Sequence, residues 1–501
     1  MNREKPFLPS GLVKFVSIGN LNLIELQCNK IISYNNQIMS LSTFKRAIVF
    51  VIAIVFLSHN ISEAQTTGKY NVLFIAVDDM NDWIEPFGGY KGIITPNLDK
   101  LAKSGVRFEK AYCSAPACNP SRASLLTGVR PATSGVYHND QPWRPVLKNV
   151  VTLPQYFTAN GYEVEAAGKI YHNSYNDDAS WPVYHGVPRD PESASAPVNG
   201  KANFDWSPVN VKDEDMGDYK TVSKGIEFLE KNHDKPFFLA IGFTRPHLPW
   251  YVPQKYFDLY PLDKITLPSV AQNDLSDVPA AGVAIAKPDG DHKFIVESGQ
   301  WKKAVQGYLA SNTFADGQIG RLVDALNKSK YKDNTIIVLF GDHGWHLGEK
   351  EHWRKFALWE EATRVPFIVV APGVTKANTT VRRTVNLMDI YPTLIDLCKL
   401  PSKPELEGNS IVALLKNPVA SWNHPSVTTH GFGNHSVRNE RYRYIVYEDG
   451  TEELYDHETD PQEWKNIAND PKYSSVKKEL IAFLPKVNAL NAPRQKRGGK
   501  E

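Results

Sequence analysis

The chain of 501 residues carries only four cysteines, Cys28, Cys113, Cys118 and Cys398. So few thiols, so widely spaced, exclude a disulfide-built scaffold and a zinc site made from paired cysteines. Long apolar runs are just as scarce. The one candidate is residues 47–57 (AIVFVIAIVFL), too short to cross a bilayer. Neither sign of charge dominates: 57 Lys and Arg against 55 Asp and Glu leave a formal net charge of +2. That balance gives no case for binding nucleic acid or a membrane surface. Internal repeats and low-complexity segments are absent too. What is present is ordinary globular composition, 42% hydrophobic and 22% charged, with material for a large core and more than one structural unit.

The short apolar run has informative flanks. Thr43-Phe44-Lys45-Arg46 precede it and Ser62-Glu63-Ala64 follow it. A basic start, a short apolar middle and small residues at positions 62 and 64 describe a secretory signal peptide over 39–64, cleaved after Ala64. The expected location is therefore periplasmic or secreted. No cysteine follows the cleavage site, so neither a lipoprotein anchor nor another stable membrane anchor is expected; a short membrane anchor is the alternative. Met39 opens this leader, so residues 1–38 read as a gene-model artefact, with an N-terminal extension as the alternative. The basic end, 491–501, reads as a solvated tail.

One pattern recurs along the rest of the chain. Residues 71–77 (NVLFIAV) form a continuous apolar run followed by Asp78-Asp79. Residues 162–167 precede Gly168-Lys169-Ile170-Tyr171-His172, and 236–243 precede a loop in which Pro246 and Pro249 flank His247. Residues 335–340 (TIIVLF) lead into Gly341-Asp342-His343-Gly344. Such runs read as buried strands of a parallel sheet, with helices expected over 98–104, 151–160, 218–231, 301–329 and 385–399. In parallel sheets ligands gather beyond the carboxyl ends of the strands. Adjacent acids there repel unless a cation lies between them. Taken singly, each motif also has a plain reading: a solvated turn, a surface lysine, a core histidine. Residues 173–217 and 251–300 read as long loops, the first expected to shape a substrate pocket. From about residue 401 the pattern shifts. Short alternating strands over 426–456, an Asp449-Gly450 turn and a helix over 474–490 suggest a small antiparallel sheet.

The stretch around which these pieces are organised is YCSAPACNPSRASLLTGVRP, residues 112–131. It puts the Cys118 thiol just before a short helix that Ser121 can cap and Gly128 can stop. A helix N-terminus favours an anion, and Arg122 adds a fixed cation one turn away. A lone cysteine here would read as a buried structural residue. Cys-x-Pro-Ser-Arg followed by Ala-Ser-Leu-Leu-Thr-Gly, however, resembles the signature of type I sulfatases. Gly-Lys-x-x-His at 168–172 and Arg-Pro-His at 245–247 are similar to the iduronate-2-sulfatase branch of that family, and 386–393 is also family-like. The resemblance runs from about Asn71 to Asn469 with no catalytic motif departing from the pattern.

The resemblance implies a fold, a cofactor and a chemistry. The fold is an α/β, alkaline-phosphatase-like sandwich with a mixed, mostly parallel sheet and a smaller C-terminal subdomain; we place these at 65–415 and 416–490. It implies that a maturation enzyme, the formylglycine-generating enzyme, oxidises Cys118 to formylglycine, and that one hydroxyl of the hydrated aldehyde attacks sulfur. One calcium ion would be bound by Asp78, Asp79, Asp342, His343 and the oxygen at position 118. A nitrogen ligand is unusual for calcium, so contact of His343 with the sulfate, or a different metal, is the alternative. Arg122, Lys169 and Lys355 would neutralise charge, with Lys350 competing for the place of Lys355. His247 would protonate the leaving oxygen and His172 would act as base toward the second hydroxyl; exchanged roles are the alternative. With Cys118 modified, only Cys113 and Cys398 are left for a disulfide in the mature chain.

The expected substrate is a sulfated glycan, with a 2-O-sulfate on uronic acid or xylose, as in algal ulvan, the specific expectation. Trp143, Trp181, Trp206 and Trp250 fit sugar-binding loops, although most would serve equally as core. Two other readings compete: a phosphonate monoester or phosphodiester hydrolase on the same fold, and a non-catalytic binder of sulfated glycans.

Overall fold

The computed structural model describes residues 69–172 and 175–495. The expected leader, the signal peptide with Ala64 and the end of the basic tail lie outside the described residues. In chain order the main elements of the first half are β1 (Asn71–Val77), α1 (Pro96–Ser104), β2 (Val106–Tyr112), α2 (Cys118–Thr127), α3 (Leu153–Ala159), β3 (Glu163–Gly168), β4 (Val183–Tyr184), β5 (Trp206–Val209), α4 (Gly217–Leu229), β6 (Phe237–Phe243) and β7 (Trp250–Pro253). The second half adds α5 (Trp301–Lys328), β8 (Thr335–Gly341), β9 (His346–Leu347), β10 (Trp353–Arg354), β11 (Phe367–Val370), β12 (Thr379–Asn386), α6 (Ile390–Leu397), β13 (Ser426–Thr429), β14 (His435–Arg438), β15 (Tyr442–Val446), β16 (Glu452–Asp456) and α7 (Ser474–Ile481).

Eight strands make the central sheet, in the order β12-β2-β11-β8-β1-β6-β3-β4. All run parallel except β11, which is antiparallel to both neighbours. Strand β1 lies at its middle, and its side chains divide between two cores as strand geometry requires. Val72, Phe74 and Ala76 pack with Leu125 and Leu126 of α2, Phe157 of α3 and Leu394 of α6. Leu73, Ile75 and Val77 pack with Leu101 of α1, Phe228 of α4 and Ile319 and Leu322 of α5. Helices thus cover both faces, which explains why the central strands β1, β6 and β8 read as continuous apolar runs rather than alternating ones. The remaining strands β13 to β16 form a four-stranded antiparallel sheet. It docks beside the end of β2, where Thr429 N donates to Ser114 O at 2.9 Å and Thr428 Oγ1 to Cys113 O at 2.6 Å.

Several sequence expectations change. Residues 385–399 are not one helix: Val385 and Asn386 end β12, a 3-10 turn follows, and α6 spans Ile390–Leu397. Strand β12 escaped because it is an edge strand with Arg382 and Arg383 in its middle and a register shift between Val381 and Thr384. The loop-rich stretch 251–300 contains short helices at Gln254–Asp258, Ala280–Ala286 and Lys293–Glu297. The helix expected over 474–490 stops at Ile481. Trp143, Trp181, Trp206 and Trp250 are all buried, so they serve as core. Cys113 and Cys398 are buried free thiols rather than a disulfide.

Where β3 meets β6, Gly168 pairs with Gly242. Gly168 has φ +75°, and a Cβ on Gly242 would lie 2.1 Å from the carbonyl oxygen of Lys169. Both glycines are therefore needed to let the chain turn out of the sheet at Lys169. Gly242→Ala is expected to cost about 1–3 kcal/mol through overpacking against backbone that cannot yield. Chemical denaturation checks this; an unchanged midpoint would show that the strands can part.

Candidate active site

Strand register sets the site. Val77 of β1 pairs with both Phe243 of β6 and Gly341 of β8, so Asp78 and Asp342 leave the sheet at the same level. Asp342 N still donates to Val77 O at 3.0 Å, one step beyond the ladder. Lys169 leaves β3 at this level too, with its N–H on Gly242 O at 2.9 Å. Asp79 then turns through a left-handed conformation, φ 61°, steadied by Tyr308 of α5, whose hydroxyl donates to Asp79 O at 2.9 Å and accepts from Asn81 N at 3.0 Å.

Into this edge runs the N-terminus of α2. Cys118 is its first residue, and Ala117 occupies the cap position. Ser121, expected as the cap, instead lies inside the helix and donates to Asp342 O at 2.6 Å. Gly128 ends the helix in a left-handed conformation, as expected. Arg122 is the bridge: Nε donates to Asp342 Oδ2 at 2.7 Å, Nη2 lies 3.5 Å from Asp78 Oδ1, and Nη1 donates to the carbonyls of Lys169 and Ile170.

The Cys118 side chain faces cations. Its Sγ is 3.3 Å from His343 Nε2 and 3.3 Å from Lys355 Nζ. Lys355 also donates to Asp79 Oδ1 at 2.7 Å, and Lys169 donates to Asp78 Oδ2. Burial pushes the Cys118 thiol up, but Lys355, Lys169, His343 and a hydrogen bond with His172 outweigh it and hold the group well below the ordinary thiol range. Position 118 is thus built to carry negative charge. Burial raises Asp342 to about 7 despite Arg122 beside it. For His343, burial lowers the value, yet Asp342 and Cys118 raise it to about 9. His247 stands at the mouth, its side chain 32% exposed, with Nε2 4.0 Å from Asp79 Oδ2 and Nδ1 2.5 Å from Leu248 O.

The structure therefore brings together Asp78, Asp79, Cys118, Arg122, Lys169, His172, His247, Asp342, His343 and Lys355. It leaves Lys350 out: that ammonium is buried against Asp274 at 2.7 Å and the carbonyl of Glu463. Tyr308 was not legible in the sequence, because a tyrosine inside a long amphipathic helix carries no signal beyond core packing. Sequence separation hides such partners: Tyr308 lies 229 residues from Asp79.

The same cluster could hold a metal ion. Asp78, Cys118, Asp342 and His343 hold ligand-type atoms within 4.8 Å of one another, as do Asp78, Asp79, Cys118 and His247. Asp78 Oδ1 and Asp79 Oδ2 are buried without a hydrogen-bond partner. Unpaired buried carboxylate oxygens are costly, and oxygen-seeking ions satisfy them.

Comparison with known proteins agrees with this geometry. The family model described as Sulfatase matches residues 70–400, and one described as N-sulphoglucosamine sulphohydrolase, C-terminal, matches 348–489. A protein of Formosa agariphila described as a sulfatase is 42% identical over 445 residues, covering 84% of this chain and 87% of that protein. Iduronate 2-sulfatase of Mus musculus is 30% identical over 516 residues, covering 82% and 93% respectively. The solved structure of a 2-O GAG sulfatase superposes with TM-score 0.67 at 25% identity, covering 83% of this chain and 91% of that one. With the signature helix, the charged strand ends and these matches in agreement, the chain belongs to the sulfatase family and is a sulfuric ester hydrolase.

Proposed function

We propose that this sulfatase is exported and hydrolyses sulfate esters of sulfated polysaccharides or oligosaccharides, with a 2-O-sulfate on uronic acid or xylose, as in ulvan, as its target. The observation that carries the chemistry is the convergence of two lysines, an arginine and three histidines around position 118 beside three buried aspartates. The glycan and the sulfate position are supported by the likeness to iduronate 2-sulfatase and the 2-O GAG sulfatase. Export is supported by the leader read over 39–64.

Formylglycine at position 118 would supply a hydrated aldehyde as nucleophile, and calcium held by Asp78, Asp79, Asp342 and His343 would supply Lewis-acid charge on the sulfate. The chain's own side chains do the rest. Lys169 and Lys355 bring two ammonium groups to the sulfate oxygens in a buried, low-dielectric setting, where fixed charge acts most strongly. Arg122 holds Asp342 and Asp78 in place. His247 is assigned as the acid in its imidazolium form: Nδ1 donates to the Leu248 carbonyl, and the second ring proton, on Nε2, is the one delivered to the leaving oxygen at the mouth. His172, hydrogen-bonded to the position-118 side chain, is assigned as the base that takes a proton from that side chain.

The protein, co-expressed with a formylglycine-generating enzyme, is expected to release inorganic sulfate from 2-O-sulfated uronate oligosaccharides and from ulvan fragments. Release from only 6-O-sulfated sugars, or turnover of a phosphonate monoester alone, would sink the substrate assignment. Cys118→Ala should lose more than about a thousandfold in kcat; a variant that keeps turnover excludes position 118 as nucleophile.

The two lysines separate cleanly. Lys355→Ala should lower kcat per folded molecule about a hundredfold to a thousandfold, and because it takes the buried partner at 2.7 Å from Asp79 it should lower the unfolding midpoint as well. Lys350→Ala should leave Asp274 unpaired in the interior and destabilise the fold by about 3–5 kcal/mol. Kinetics and denaturation on both variants decide which lysine serves the site. Chelation with EGTA should abolish sulfate release and added calcium restore it; full activity in chelator excludes the calcium assignment.

A further inference from the structure

One stretch beside the site adopts a backbone that its sequence does not favour. Lys350, Glu351, Arg354 and Phe356 all have positive φ, at 55°, 48°, 76° and 75°. Left-handed backbone in four non-glycine residues persists only where tertiary contacts over-determine it. Lys355, which reaches Asp79 and Cys118, lies within this stretch. Its restraints come from flanking side chains. Lys350 pairs with Asp274 at 2.7 Å, and Arg354 Nε donates to Asp291 Oδ2 at 2.5 Å. His352 makes the most direct contact. Its Nδ1 lies 2.7 Å from Ala286 O and its Nε2 lies 2.6 Å from Lys355 O.

Both ring nitrogens of His352 therefore face carbonyl oxygens, which only accept. A neutral imidazole has one N–H and one lone pair, so it can satisfy one carbonyl and must set its lone pair against the other. The imidazolium donates to both. We propose that His352 is a positioning residue for Lys355 that acts as the imidazolium, tying the Lys355 carbonyl to that of Ala286, and that loss of its proton loosens the stretch and withdraws the ammonium from the site. This rests on the reading of Lys355 as a group that neutralises the sulfate.

The surroundings set the direction of the pH dependence. Burial disfavours the charged ring; the two carbonyls and Asp291 favour it; Lys287 opposes it; the balance lies below the ordinary histidine value. The other titratable neighbours are His346, with its ring 5.0 Å away, His292 and His430. Burial lowers all three, so none adds charge at neutral pH. A protonated clamp is present below its pKa and lost as pH rises through it, so the benefit of His352 belongs to the acid side.

The full chain, matured with a formylglycine-generating enzyme, is assayed as wild type and as His352→Gln on a 2-O-sulfated uronate disaccharide. Glutamine offers one donor group and cannot restore the second. At about pH 5, kcat of His352→Gln should fall about tenfold to a hundredfold below wild type, and the gap should close toward about pH 8. A gap of constant size across that range overturns the proposal, because a merely structural role is indifferent to the proton. A second measurement needs no turnover. Nitrogen-15 spectra of histidine-labelled wild type, with His352 assigned by its missing signals in His352→Gln or His352→Asn, should show both ring nitrogens protonated at about pH 5 and one bare at about pH 8. A ring that stays neutral throughout overturns the proposal. Should the wild type release no sulfate at any pH, the substrate reading fails while the spectra still decide the state of His352.

Discussion

The guanidinium of Arg122 is the contact on which the rest of the site depends. It is 2% exposed, and water does not solvate it. A charge so buried is tolerable only if its partners come with it. Those partners are the first residues beyond three strands: Asp342 after β8, Asp78 after β1, and the carbonyls of Lys169 and Ile170 after β3. One side chain of α2 therefore fixes the helix against three strand ends at once. Because Cys118 is the first residue of that helix, its position follows from the same contact. The two lysines complete the charge balance: Lys169 shares Asp78 with Arg122, and Lys355 pairs with Asp79, which Arg122 does not reach. Charge balance, strand register and the placement of position 118 are one constraint viewed from three sides.

That constraint explains which parts of the site were legible in the sequence. Strands β1, β6 and β8 are covered on both faces, so each reads as a nearly unbroken apolar run, whereas β3 carries Glu163 and Glu165 and is read from its length and the glycine that ends it. Asp78, Lys169 and Asp342 could be picked out because a charged residue follows directly where each strand ends, although all three are buried. The signature around Cys118 was legible as a local motif. The role of Ser121 was not: a serine near a helix start reads as a cap, and only the arrival of β8 shows that its hydroxyl is needed on the Asp342 carbonyl. Strand β12 was hidden for the opposite reason to β1. It lies at the sheet edge, with Arg382 exposed and a shifted register, so its pattern carried no clean period.

Lys350 and Lys355 mark the limit of local reading. They stand five positions apart in one irregular stretch, both buried and both ion-paired to an aspartate. Nothing in residue type or spacing separates them, since no helix or strand dictates where either side chain points. The difference is tertiary. Asp274 and the Glu463 carbonyl take Lys350 into the packing under the C-terminal sheet, and His352 and Arg354 turn the following residues back toward the strand ends.

The C-terminal sheet is consequently more than an appended unit. Arg443 of β15 is fully buried; it pairs with Glu463 at 2.5 Å and with Glu360, and it donates to the Leu358 carbonyl at 2.9 Å. Arg438 of β14 reaches Glu360 at 3.3 Å, and Tyr112, at the end of β2, donates to Glu360 at 2.9 Å. Glu360 lies five residues beyond Lys355, as Lys350 lies five before it. The strained stretch is thus held at both ends by buried ion pairs, Lys350 with Asp274 and Glu360 with Arg438 and Arg443. At both ends it also touches the C-terminal part of the chain, through the Glu463 carbonyl and through those arginines. Ion pairs of this kind are weak sources of net stability, because desolvation consumes most of the attraction. What they do supply is a single permitted geometry, and here that geometry is the one that points Lys355 at Asp79 and Cys118. The nucleophile helix takes its position from the large sheet and the second lysine takes its position from the small one, so the site exists only where the two sheets are docked.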